Sequence, residues 1–171
     1  NPSKNFSLQV SQGFIKSPEE LFPDEDIVRT TASVMHITPF NHDNLISTSL
    51  VWGMNSSEEN LHSVLLESNL KINSFSVYGR YEFVQKNAHE LNLMEEFDSN
   101  PAFNMQAFTL GINKTLLTRF IANLSMGMQG AINFPDENLK SIYGNNPLSA
   151  EVYLKISPTA VAKSLKILKK D

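Results

Sequence analysis

The 171-residue chain contains no cysteine, so neither a disulfide scaffold nor a thiolate metal site is open to it. It also lacks an excess of positive charge. Against 18 Asp and Glu stand 14 Lys and Arg, a net charge of −4, which argues against nucleic acid as a partner. No apolar run exceeds three residues, far below the roughly 20 that a membrane-spanning helix needs. Glycine and proline are scarce, at 7 and 8 residues, which excludes collagen-like and Pro/Gly-rich disordered chains. Residue 1 is Asn, with no basic and apolar leader after it, so any export signal is expected to have been removed or to lie outside this chain. What the chain has in abundance is uncharged polarity, 18 Asn and 19 Ser beside 41% hydrophobic residues, and its length fits one domain.

Alternation of period two dominates, the mark of strands with one apolar and one polar face. Phe6, Leu8 and Val10 oppose Ser7, Gln9 and Ser11. Over residues 26–37, Val28, Ala32 and Val34 oppose Arg29, Thr31 and Ser33, and over 45–54, Ile46, Leu50, Trp52 and Met54 oppose Ser47 and Ser49. Residues 61–69 set Val64 and Leu66 against Ser63, Leu65, Glu67 and Asn69. Residues 74–84 set Phe75, Val77, Tyr81 and Phe83 against Ser76, Tyr78, Arg80 and Glu82. Three more follow at 105–114, 119–132 and 150–157, where Phe108, Leu110 and Ile112, then Leu124, Met126 and Met128, then Val152, Leu154 and Ile156 supply the apolar faces. That makes eight strands, an even number. Helical periodicity is confined to residues 87–97 and to the tail, 159–170.

The connectors add a second signal. The first, third, fifth and seventh (17–26, 55–60, 85–104 and 133–149) hold 13 of the 18 acidic residues. Three of these four are long, and the remaining connectors are short. Lys4, Lys71, Lys114, Arg119 and the lysines of the tail fall toward the other end. In an up-and-down antiparallel sheet the odd connectors share one end, so the molecule is expected to be polarised from end to end.

A strand of about 10 residues rises about 33 Å, and a tilt of about 40° leaves about 25 Å, the height of the lipid-facing band of outer-membrane barrels. Backbone groups in lipid have no water to pair with, so such strands must close on themselves. These features predict an all-β fold, an antiparallel up-and-down transmembrane β-barrel of about eight strands over residues 1–158, followed by a basic periplasmic tail over 159–171. Aromatics are expected in two girdles, Phe6, Phe40, Phe75 and Phe120 near the short turns and Phe14, Trp52, Phe83, Phe108 and Phe134 near the long loops. The alternative is a soluble, lipocalin-like ligand-binding barrel with the apolar set turned inward. The polar faces are mostly Ser, Asn, Gln and Thr rather than a charged solvated surface, and no Gly-x-Trp signature stands near the amino terminus, both of which favour the membrane barrel.

Several stretches resemble an uncharacterised family of Gram-negative outer-membrane β-barrel proteins. They are LQVSQGFIKSPEELFPDEDIVRTTAS (8–33), WGMN (52–55), LLES (65–68), VYGRYEFVQKNAHEL (77–91), TLGI (109–112) and YGNNPLSAEVYLKISP (143–158). The resemblance implies location in the cell outer membrane but brings no reaction with it. Members of that family are longer at the amino terminus, which implies that this chain is the carboxyl-terminal part of a larger barrel. The basic tail is a departure, since many such barrels end in an aromatic residue on the last strand.

Charged residues on the polar faces, Arg29, Glu67, Arg80, Glu82, Arg119, Glu151 and Lys155, are expected to form an ion-pair network within the lumen, which eight strands leave just wide enough for side chains. With further strands the same charges would line a constriction for small solutes. His36, His42, His62 and His89 lack the spacing of a metal site, and no nucleophile elbow appears. A barrel enzyme built on Ser, His and a carboxylate is therefore the least supported alternative, and neither catalysis nor a cofactor is expected. The expected role is structural or porin-like. The expected partners are membrane lipid and lipopolysaccharide, with an additional barrel segment or partner subunit.

Overall fold

The computed structural model describes residues 3–16, 26–41, 44–57, 59–97, 99–119 and 121–158. The expected basic tail lies outside them. Eight strands follow one another: β1 (Phe6–Lys16), β2 (Asp26–Pro39), β3 (Leu45–Ser56), β4 (Asn60–Ile72), β5 (Phe75–Asn87), β6 (Ala102–Thr118), β7 (Ala122–Phe134) and β8 (Leu148–Pro158). Each pairs antiparallel with the next, giving one all-β up-and-down sheet. Every stretch of period-two alternation became a strand. The tightest link is Asn73–Ser74 between Ile72 and Phe75, where Asn73 takes φ 54°, a left-handed conformation that Asn tolerates well.

The connectors hold the departures from expectation. Residues 87–97 form a succession of turns rather than a helix. Asn92 is left-handed at φ 55° and the Leu93 N–H returns to the Ala88 carbonyl at 2.8 Å, which ends any helical run. The β7–β8 link instead carries a 3-10 turn, Glu137–Leu139, and one helical turn α1, Lys140–Tyr143. Asp136 caps the first by accepting the Asn138 N–H, and Gly144 at φ 86° ends the second. Arg119, expected at the head of the seventh strand, lies in the β6–β7 turn. Its N–H reaches the Ala122 carbonyl at 2.9 Å, so the hairpin consumes the residues that alternation alone assigns to the strand.

Burial runs opposite to that of a water-soluble sheet. Among the described residues only Leu61, Ala88, Phe103 and Leu139 are buried hydrophobics, whereas 28 large hydrophobics are exposed. The alternation is sharpest in β6, where Thr109 and Gly111 are buried and Phe108, Leu110 and Ile112 between and beside them are exposed. Ser125 on β7 is 6% exposed while its neighbour Met126 is 47% exposed. The polar face is thus the sheltered, inner one. Register extends the outer face from strand to strand. One row runs Leu8, Val34, Leu50, Leu66, Tyr81, Phe108, Ile132 and Leu148, apolar or aromatic at every step.

A second row shows the tilt. Val10 lies opposite Ala32, and the row continues through Trp52, Val64, Phe83 and Gln106 to Phe134. It starts six residues inside the end of β1 (16 minus 10) and finishes on the last residue of β7. A drift of about one residue per strand, about 3.3 Å against a strand spacing of about 4.8 Å, is a tilt of about 35°.

The expected closure is not present. Among the described residues strand β1 pairs with β2 alone and β8 with β7 alone, so the sheet is open. Closure depends on curvature and stagger. A closed eight-stranded cylinder and an eight-stranded arc of a wider one share the same alternation and turns, and so the same sequence signal.

Candidate functional site: the inner polar face

Period-two geometry and the observed register bring inner residues of five strands into three adjacent rows. The first pairs Glu67 of β4 with Arg80 of β5. The Arg80 Nε and Nη2 both donate to Glu67 Oε2, at 2.8 and 2.7 Å. With side chains 42% and 32% exposed, the pair is worth about 0.2–1 kcal/mol where water screens it.

The next row runs from Tyr78 through Gly111 and Gln129 to Glu151. Because Gly111 has no side chain, the Tyr78 ring lies over it, and a Cβ there would overlap the ring. The Tyr78 hydroxyl then donates to Gln129 Oε1 at 2.6 Å, two strands away. The same amide donates through Nε2 to Glu151 Oε2 at 2.8 Å. The third row repeats the device in reverse: Tyr153 of β8 lies over Gly127 of β7 and meets Asn113 of β6, whose Nδ2 is 3.5 Å from its hydroxyl. The two tyrosine hydroxyls stand 3.4 Å apart. Side chains from β4 to β8 therefore form one polar belt, in which each tyrosine bridges a strand that carries glycine.

Of the seven residues expected to form one charge network, Glu67 and Arg80 pair with each other, and Glu151 joins the belt through Gln129. Glu82 sits two residues beyond Arg80, opposite Leu65 and Ala107. Arg29, at the long-loop end, donates its Nε to Asn55 Oδ1 at 2.8 Å, and Lys155 lies opposite Ser125 toward the short turns. Arg119 is off the strands altogether. Alternation placed Tyr78, Gln129 and Tyr153 on the correct face but could not show that they meet. The missed signal was glycine at inner positions of β6 and β7.

Two cavities open on the inner face toward the long loops. One, of about 420 Å³, is lined by Arg29, Thr31, Asn55, Ser63, Lys86 and Glu90, and the other, of about 340 Å³, by Glu82, Met105, Asn133 and Tyr143 among others. Beside them the β5–β6 and β7–β8 connectors fold together. Ala88, Phe103 and Leu139 are fully buried with Leu91, Leu93, Phe97 and Met105 around them, and the Phe97 and Phe103 rings lie 5.0 Å apart. Asp136 Oδ2 accepts the Asn104 N–H at 3.2 Å and ties the β7–β8 connector to the start of β6. Phe103 and Met105 belong to the inner set of β6, so this small apolar cap covers that end of the polar face.

Among the described residues no three His, Asp or Glu side chains converge as metal ligands. No helix is long and apolar enough to cross a membrane, which says nothing of strands. Comparison with protein-family models, curated proteins and solved structures gives no match.

Proposed function

We propose that this chain is wall of a transmembrane β-barrel in the outer membrane of a Gram-negative cell, with a polar lumen that passes small solutes. The observation that carries this reading is the burial pattern: apolar side chains stand exposed on the outer face from β1 to β8, most sharply on β5 to β7, where the polar side chains alternating with them are sheltered. In water that face would be a hydrophobic patch far beyond the few hundred Å² a soluble monomer shows. Covered by acyl chains, each half-exposed Leu-sized side chain gains about 1 kcal/mol. The 35° tilt falls in the range of membrane barrels. A lipocalin-like protein would need the apolar set inside.

The open sheet favours passage over a purely structural role. Lipid cannot satisfy the free edges of β1 and β8, so further strands, from an additional barrel segment or partner subunit, complete the wall and widen the lumen beyond the eight-strand limit. In this reading the long-connector end of the sheet faces the cell exterior and the short turns face the periplasm. We assign the chain no reaction and no cofactor.

Trp52, the single tryptophan, lies in the outer row between Ala32 and Val64 and provides the test. In vesicles with brominated acyl chains its fluorescence is expected to be quenched, and in plain buffer the chain is expected to associate. A protein that is monomeric in plain buffer, with Trp52 unquenched by the vesicles, overturns the proposal.

A further inference from the structure

One cation breaks the apolar face. Within the strands, Arg29, Glu67, Lys71, Arg80, Glu82, Lys86, Glu151 and Lys155 all take the inner set by register. The outer set holds Lys16 and Asp26, which face each other at the very end of β1 and β2, and Lys114. Lys114 is four residues inside the short-turn end of β6, in a row with Phe75 on one side and Met126 on the other. Among the described residues it makes no ion pair. A groove of about 420 Å³ opens beside it on the outer face, lined by Phe75, Ile112, Leu116, Met126, Met128 and Val152. All six are exposed.

We propose that this groove binds an anionic phospholipid, with the headgroup phosphate on the Lys114 ammonium and one acyl chain along the apolar floor. The inference rests on the membrane reading above. An unpaired ammonium on a face turned to acyl chains is costly unless its stem reaches the headgroup layer or an anion comes to it. The groove gives an acyl chain a seat beside that charge, a combination that matches an anionic amphiphile. The short-turn end is the periplasmic one, which faces the phospholipid leaflet and not lipopolysaccharide.

The test is lipid retention by the full chain, extracted from vesicles of phosphatidylcholine with one-fifth phosphatidylglycerol and weighed by native mass spectrometry. Wild type is expected to keep phosphatidylglycerol in preference to phosphatidylcholine by about fivefold. Lys114→Gln abolishes that preference, Lys114→Arg keeps it, and the inner-face control Lys71→Gln leaves it unchanged. Met128→Trp fills the groove without touching the charge and lowers retention, which decides the matter should Lys114→Gln not fold. Equal retention of both lipids by wild type, or an unchanged preference in Lys114→Gln, overturns the site while Trp52 quenching still upholds the barrel. Absence of quenching overturns both.

Discussion

The ring of Tyr78 lies across Gly111, its register partner on β6, and so reaches Gln129 on β7 at 2.6 Å. The hydrogen bond exists because the intervening position has no side chain. Gly111→Ala is expected to displace the ring and cost about 1–3 kcal/mol, from overpacking and the lost hydrogen bond. In Tyr78→Ala the same glycine substitution should cost much less, and a double-mutant cycle by urea unfolding in lipid vesicles measures the coupling. Gly127 and Tyr153 should behave alike. Additive losses would show that the stacked arrangement contributes nothing.

The outer face should be intolerant of charge according to depth. Leu110, at the middle of β6 and 55% exposed, is expected to lose about 2–4 kcal/mol as Leu110→Arg. Leu124→Arg, near the short-turn end of β7, should cost less, and Gln129→Arg on the inner face least. Unfolding free energies in bilayers give the order, and equal costs would contradict the face assignment.

Arg80 and Glu67 offer a functional readout. In planar bilayers Arg80→Gln leaves Glu67, Glu82 and Glu151 on the inner face without that cation, so the reversal potential should move toward cation selectivity. Glu67→Gln should move it the other way. Unchanged potentials for both would place the pair outside the conducting path.

The cap is a separate unit of stability. Phe103→Ala empties a fully buried site and is expected to cost about 3–5 kcal/mol. Its signature is local: limited proteolysis should speed up within residues 88–101 while the strands stay protected. Uniform loosening of all strands would argue that the cap and sheet unfold as one.

Much of this architecture is legible in the residues. The pairing of Ser76, Tyr78, Arg80 and Glu82 against Phe75, Val77, Tyr81 and Phe83 gives both faces of β5 without any structure, and even Leu65 falls on the polar side where alternation puts it. What is hidden depends on distance along the chain. Tyr78 and Gln129 are 51 residues apart, and they meet only once the β5–β6 and β6–β7 registers are known. Arg119 reads as strand because its neighbours Phe120 and Ala122 continue the alternation, and only the hairpin's geometry removes it. Phe103 and Leu139 look like unremarkable apolar residues in polar connectors until the two loops meet. The open edge is invisible for a different reason, since a closed cylinder and a partial one are written in the same code of alternating side chains.

The two unpaired borders of the sheet bear on how such a chain is made. Val10 and Ile156, both 77% exposed, stand on the two strands that, among the described residues, pair with another strand on one side only. Any extended polypeptide that arrives can be stitched onto them, including another copy of the same chain. On the membrane reading proposed above, the chain is expected to reach its place with these borders kept from pairing, and assembly to finish only when both are sealed.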